Sequence, residues 1–345
     1  MAEARPRVWV SQPLFDDIVD RLQQYFEVLA ATEVTAYTPE AIAAQLRDAD
    51  GAVVTLNERV GAAEIAGAPR LRAIANVGVG YNNLDIAALG DAGILATNTP
   101  DVLTGTTADL GFALLMAAAR RITESERWLR EGQWGQWSFS TMLGADVHGS
   151  TLGILGMGRI GQGIARRGHH GFGMRVLYHN RSRLPQPVER ELGAQWVSFE
   201  DLLAQADHLV TVLPYSADTH HIIDAAALAR MKSTATLVNI ARGGIVDELA
   251  LADALASGRL AAAGLDVYEG EPAVRPELLA LRNVVLTPHI GSASLATRTA
   301  MVQLAVDNLA AGLGLDGGPS RMPSSINADA AMAARVMLGK KTGKR

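Results

Sequence analysis

Arg242, Glu271 and His289 each follow an apolar run, and together they supply a cationic fork, a carboxylate and an imidazole. Their settings are Asn239-Ile-Ala-Arg242-Gly243, Asp266-Val-Tyr-Glu-Gly-Glu271-Pro272 and Thr287-Pro288-His289-Ile290-Gly291. Polar residues at strand ends lie where α/β folds place their ligands. An arginine fork binds a carboxylate, an imidazole exchanges a proton, and a carboxylate holds an imidazole and favours its charged form. Singly, each has a plainer reading: a surface charge, a helix cap beside a proline, a hydrogen-bonded histidine. The three in order, each at its own strand end, point to acid–base chemistry on an anionic substrate.

A second constellation is Gly156-Met-Gly158-Arg159-Ile160-Gly161, entered from the apolar run Leu152–Leu155 and left through a helical segment, 162–167. In that strand–turn–helix setting, Gly156 permits the tight turn, Gly158 lets backbone approach a pyrophosphate and Gly161 lets helix and strand pack closely. The helix N-terminus favours the anion; Arg159 and Ile160 are counted with the glycines as cofactor-binding. After the next strand, Met174–Tyr178, comes His179-Asn180-Arg181-Ser182-Arg183. The acid that would bond a ribose 2′-hydroxyl is missing, and two guanidinium forks and a hydroxyl stand in its place. That set suits a 2′-phosphate, so NADP(H) is expected over NADH or NAD. A plain solvated basic loop is the alternative.

The elements that position these residues alternate. Strands at 7–10, 28–29, 52–55, 72–75 and 93–96 are separated by helical segments at 15–26 and 39–46, the latter capped by Thr38. A small-residue-rich helix at 107–120 and a tryptophan-rich segment around Trp128, Trp134 and Trp137 precede the glycine turn. Further strands fall at 209–213, 236–240, 262–266 and 284–287, followed by a helix over 294–313. The expected fold is α/β: two Rossmann-like domains, each a parallel sheet with helices on both faces. A nucleotide domain at 101–289 is inserted into a discontinuous substrate domain formed by 1–100 and 290–330. Residues 331–345, with Lys340, Lys341, Lys344 and Arg345, read as a solvated, mobile tail. A cleft between two such domains is a natural ligand site.

The 345 residues leave room for two cores. A net charge of −5 gives no electrostatic case for nucleic acid or membrane. The absence of cysteine excludes disulfides, thiolate metal sites and cysteine nucleophiles. The opening segment has no signal-peptide apolar region, and no uncharged apolar stretch is long enough to span a bilayer, so a cytoplasmic location is expected. Histidines 148, 169, 170, 179, 208, 220 and 221 show no metal-like spacing, and no metal site is expected.

With these motifs in place, the chain resembles the D-isomer-specific 2-hydroxyacid dehydrogenase family over 7–315, most closely its glyoxylate/hydroxypyruvate and 2-ketogluconate reductases. The resemblance implies that Arg242, Glu271 and His289 are catalytic and that the Val79 and Gly80 amides hold the substrate carboxylate. Gly78-Val79-Gly80 suits that on physical grounds, since glycine exposes amides to an anion, although a simple tight turn looks the same. The resemblance also implies an apolar pocket position at Leu56, a nicotinamide contact at Asp266, and cofactor contacts at Thr107, Pro214, Ile240 and Gly291. Trp134 and Trp137 match a dimerisation segment, with Trp137 entering the partner's site; a buried aromatic anchor is the alternative, and a homodimer is expected either way. The implied reaction is NADPH-dependent reduction of a small 2-oxo acid. Other readings on this scaffold are an NAD-dependent oxidation of a small anion and a nucleotide-sensing corepressor without turnover.

Overall fold

The computed structural model describes residues 5–315 and 324–342. It divides into two compact units, Met1–Leu103 with Ser294–Arg345, and Thr104–Ala293. Among the described residues no helix is long and apolar enough to cross a membrane.

The first unit contains β1 (Arg7–Val10), β2 (Glu27–Ala30), β3 (Gly51–Val54), β4 (Ala73–Asn76) and β5 (Leu95–Thr97). They form one parallel sheet in the order β2-β1-β3-β4-β5. Side chains alternate between faces along a strand. Val8, Val10, Val53, Ala75 and Leu95 join one core with the helices Asp16–Tyr25 and Leu295–Gly312. Trp9, Ala52, Val54, Ile74 and Ala96 join another with the helix Pro39–Leu46. Both faces are covered, which is why these strands read as unbroken apolar runs. Thr38 caps Pro39–Leu46 by accepting from the Ala41 amide, as its sequence predicts.

The second unit adds β6 (Thr151–Leu155), β7 (Arg175–His179), β8 (Ala194–Trp196), β9 (His208–Thr211), β10 (Thr236–Asn239), β11 (Ala262–Leu265) and β12 (Val284–Leu286). These form a parallel sheet in the order β12-β11-β10-β9-β6-β7-β8. The order reverses between β9 and β6, the switch point at which ligands bind in such sheets. The small-residue helix Thr104–Ala119 packs on β10 and β11; a β-carbon on Gly264 would lie 3.1 Å from that of Leu114.

The second unit spans Thr104–Ala293 where 101–289 was expected, and Ile290 and Gly291 are tied by their amides to Asp266. The expected loose tail is replaced by a helix over its described part. Ala328–Thr342 is a helix, with Ala331 and Ala334 buried and Arg335 donating to the carbonyls of Gly93 and Arg72. Lys340 and Lys341 belong to this helix; Lys344 and Arg345 lie outside the described residues.

Candidate active site

In the second unit the loops leaving β10, β11 and β12 carry Arg242, Glu271 and His289. The first is shaped by buried Asn239, whose amide donates to the Arg242 carbonyl at 2.9 Å and whose oxygen accepts from the Ala241 amide. Gly243 is required there, because a β-carbon would fall 1.9 Å from the Tyr268 carbonyl carbon. The turn bearing Arg242 is thus pressed against the strand end bearing Glu271.

His289 Nδ1 lies 2.7 Å from Glu271 Oε2, while Glu271 Oε1 accepts from the Tyr268 amide. Burial works to raise the Glu271 carboxyl, but the hydrogen bond and charge of His289, the Tyr268 amide and the Arg242 charge outweigh it, leaving it below the ordinary range. His289 adopts a left-handed backbone, φ 51°, a conformation uncommon outside glycine and one that clusters at functional sites. Asp266 makes that turn: its carboxylate accepts from Thr287 Oγ1 and the amides of Ile290 and Gly291 at 2.7–2.8 Å, and its carbonyl accepts from the His289 amide. Burial nevertheless pushes the Asp266 carboxyl above its ordinary range. The residue expected at the nicotinamide therefore also holds the loop that bears His289.

Arg242 is the unbalanced member. It donates to the carbonyl of its neighbour Ala241, and Glu271 acts on it only through space. Burial draws its pKa down, against the influence of Glu271, yet a guanidinium stays charged. A desolvated cation without a bonded counter-ion is costly unless an anion arrives.

The glycine turn fits a dinucleotide. Gly156 has φ 102°, and a β-carbon would meet the Leu213 amide nitrogen at 2.7 Å; one on Gly161 would lie 2.4 Å from the Gly156 carbonyl oxygen. Around Gly158 a β-carbon would meet nothing within 4 Å, which is the open cradle a pyrophosphate needs. Arg159 and Ile160 begin the helix Arg159–Arg166, whose N-terminal amides favour an anion. Thr107 is buried against Gly291. Pro214 is exposed after β9, whereas Ile240 is a core residue packed with Ile164 over Gly111.

The loop after β7 divides the labour that its sequence suggests is shared. Asn180 Oδ1 accepts from the Met157 amide at 2.7 Å and so braces the glycine turn itself. Arg183 makes two 2.7 Å bonds to Glu189, a buried carboxylate that also accepts from Tyr178. Tyr178 in turn accepts from the Leu184 amide, and burial pushes its hydroxyl up to about 12. Arg183 is therefore a strut for the loop. Arg181 and Ser182 are exposed, and Arg181 has no hydrogen bond or ion pair among the described residues.

The first unit carries a separate anion-competent turn. The carbonyls of Gly78, Val79 and Gly80 accept from the Thr99 amide and from the side chains of Asn98 and Asn76, while the amides of Val79 and Gly80 find no acceptor among the described residues. Leu56 lies over Gly78, its δ-carbon 3.0 Å from where a β-carbon would stand. Two residues that sequence reasoning missed, Glu58 and Asn83, frame this arrangement. Buried Glu58 accepts from Ser11, Gln12 and Thr55, joining the loops after β1 and β3. The Asn83 amide lies within 3.0 Å of the Thr55 and Glu58 carbonyls and of Asn76 Oδ1. Asn83→Ala is expected to raise KM for the organic acid by about tenfold, by loosening a bonded frame worth ~1–2 kcal/mol, while KM for the nicotinamide cofactor stays unchanged. Equal effects on both would sink this positioning role.

Trp134 and Trp137 are exposed by 55% and 65%, and with Phe139 and Leu143 they leave large apolar side chains in solvent. Trp137 stacks edge-on against Phe139 at 4.7 Å. The buried-anchor alternative is excluded for both within one chain.

Residues 112–291 match the model of the NAD-binding domain of the D-isomer specific 2-hydroxyacid dehydrogenases. A glyoxylate reductase of Thermococcus kodakarensis is 46% identical over 89% of this chain and 93% of its own length. One from Aeropyrum pernix is 44% identical, with coverages of 89% and 92%. Among solved structures, an NADPH-dependent glyoxylate/hydroxypyruvate reductase of Sinorhizobium meliloti, in complex with NADP and malonate, superposes with a TM-score of 0.81. It is 35% identical, over 94% of this chain and 98% of that one. A D-mandelate dehydrogenase of Rhodotorula graminis gives 0.82 at 31% identity, over 94% and 98%.

Proposed function

Because the chain belongs to the D-isomer-specific 2-hydroxyacid dehydrogenase family, we propose that it reduces glyoxylate and hydroxypyruvate, with 2-ketogluconate a further substrate, to D-2-hydroxy acids using NADPH. That it is an NAD(P)-dependent dehydrogenase acting on 2-oxo acids follows from the family and its glyoxylate reductase relatives. The observation that carries the reading is Arg242: a half-buried guanidinium with no bonded carboxylate among the described residues, on a turn pressed against the one leading to the His289–Glu271 pair.

A reduced nicotinamide supplies the hydride. The protein's residues do the rest. Arg242 and the amides of Val79 and Gly80 take the substrate carboxylate, and Arg242 stabilises the charge that grows on the C2 oxygen. His289, its Nδ1 bonded to Glu271, gives the Nε2 proton to that oxygen and recovers it in the reverse direction. Leu56 borders the substituent at C3.

Preference for NADPH rests on Arg181 and Ser182, with Arg183 as their brace. It is also supported by the NADPH-dependent relative. Arg181→Ala is expected to raise KM for NADPH at least tenfold, the scale of a lost charge-assisted bond of ~1.5–3 kcal/mol, and to leave KM for NADH unchanged. Initial rates with both cofactors check this; a wild-type enzyme that favours NADH would overturn the assignment. Failure to turn over any of the three acids with either cofactor would overturn the reductase reading. The exposed Trp134–Leu143 segment supports a homodimer, with Trp137 reaching the partner's site.

A further inference from the structure

We infer that His220, His221 and Glu269 form a binding site for a divalent transition-metal ion of the zinc class. One ligand atom from each lies within 4.8 Å of the others. His221 Nε2 and Glu269 Oε2 are 3.1 Å apart, close to the ~3.3 Å edge of a tetrahedron with metal–ligand bonds of ~2.0–2.1 Å. Neighbouring residues in extended chain point their side chains apart, but His221 has φ 50°. This left-handed turn lays its ring over that of His220, with centroids 3.8 Å apart and planes 24° from parallel. The strain of such a residue needs a reason, and bringing two imidazoles to one side supplies it.

The surroundings orient the ligands. Tyr215 Oη lies 3.1 Å from His220 Nδ1, an outer contact that fixes the ring and leaves Nε2 for an ion. Gly244 makes room for that pair, since a β-carbon there would lie 2.8 Å from the Tyr215 ring and 3.2 Å from His220 Nδ1. The His221 amide donates to the Gly244 carbonyl and the Glu269 amide to Glu248 Oε1, so both partners stand on bonded backbone. Two imidazoles and a carboxylate are the donors preferred by zinc, nickel and copper rather than magnesium or calcium. Three protein ligands leave a fourth position for water. Adjacent positions in the chain suggest no ligand set for His220 and His221; the fold supplies it by bringing in Glu269 from 48 residues away. An ion held here ties the loop after β9 to the loop after β11, across the turn that carries Arg242.

The test is zinc binding to the full-length chain without a histidine tag, read by competition with a chromophoric chelator and, for cobalt, by visible absorption. Neither readout depends on turnover. One equivalent per chain is expected, with His220→Asn and Glu269→Gln each weakening affinity about tenfold or more and a His169→Asn/His170→Asn variant binding as wild type. Thermal melts of the apo proteins verify that the variants fold. Well under one equivalent, an octahedral cobalt spectrum, or loss of binding only in the His169/His170 variant would overturn the site.

Discussion

Replacement of His289 by Gln is expected to lower kcat for glyoxylate reduction by about 10²–10⁴-fold, the usual contribution of a positioned general acid. Glutamine preserves much of the side-chain volume and a contact to Glu271, so KM for NADPH should stay near wild type. Acidification provides a second check. Despite burial, the Glu271 carboxyl is held below its ordinary range, chiefly by its hydrogen bond to His289, so activity that depends on the pair should survive acidification until the pH falls into that depressed range. Stopped-flow and steady-state rates in both directions check this. A His289→Gln enzyme with near-normal kcat would show that the proton comes from elsewhere.

The second large effect is at Arg242. Arg242→Gln is expected to lower kcat about 10²–10³-fold, the scale of removing one preorganised group aimed at a developing oxyanion, and to raise KM for the 2-oxo acid as well. Arg242→Lys restores charge without the planar fork and should recover only part of the loss. The two defects separate the roles, since KM follows carboxylate binding and kcat follows stabilisation of the growing charge. Loss of substrate KM alone, with kcat intact, would remove Arg242 from the chemistry and leave it a binding residue. Glu271 bears on the same point from the other side: it influences Arg242 without bonding it, so neither substitution breaks an ion pair that holds the fold.

The glycine turn and the three strand-end residues were legible because their chemistry is local. Each sits within a few residues of a strand whose apolar pattern announces it, and the turn at Gly156 allows no side chain. What lay hidden depends on partners far along the chain. Glu58 acquires its meaning from Ser11, 47 residues away, and Arg183 is bonded to Glu189 from the following helix. No spacing rule distinguishes an arginine offered to a phosphate from one buttoned to a buried carboxylate. The helix Ala328–Thr342 was missed for a related reason: its alanine-rich sequence, with charge only at Asp329, Arg335, Lys340 and Lys341, carries little amphipathic signal, and it is held by contacts to Gly93 and Arg72. Trp137 was legible as an aromatic in a loop, but only its exposure argues against an anchor within the chain.

The interruption of one unit by the other has a consequence in time. Val8, Val10, Val53 and Leu95 share their core with Val302, Ala305, Val306 and Leu309 from the far end of the chain. During synthesis, the opening strands therefore emerge without the helix that covers one of their faces. The intervening unit is continuous in sequence, Thr104–Ala293, and contains everything its sheet requires. At about 5–20 residues per second, its translation keeps the first strands waiting for roughly ten to forty seconds. The middle of the polypeptide can thus complete its own sheet before the N-terminal sheet acquires the helix that covers one of its faces.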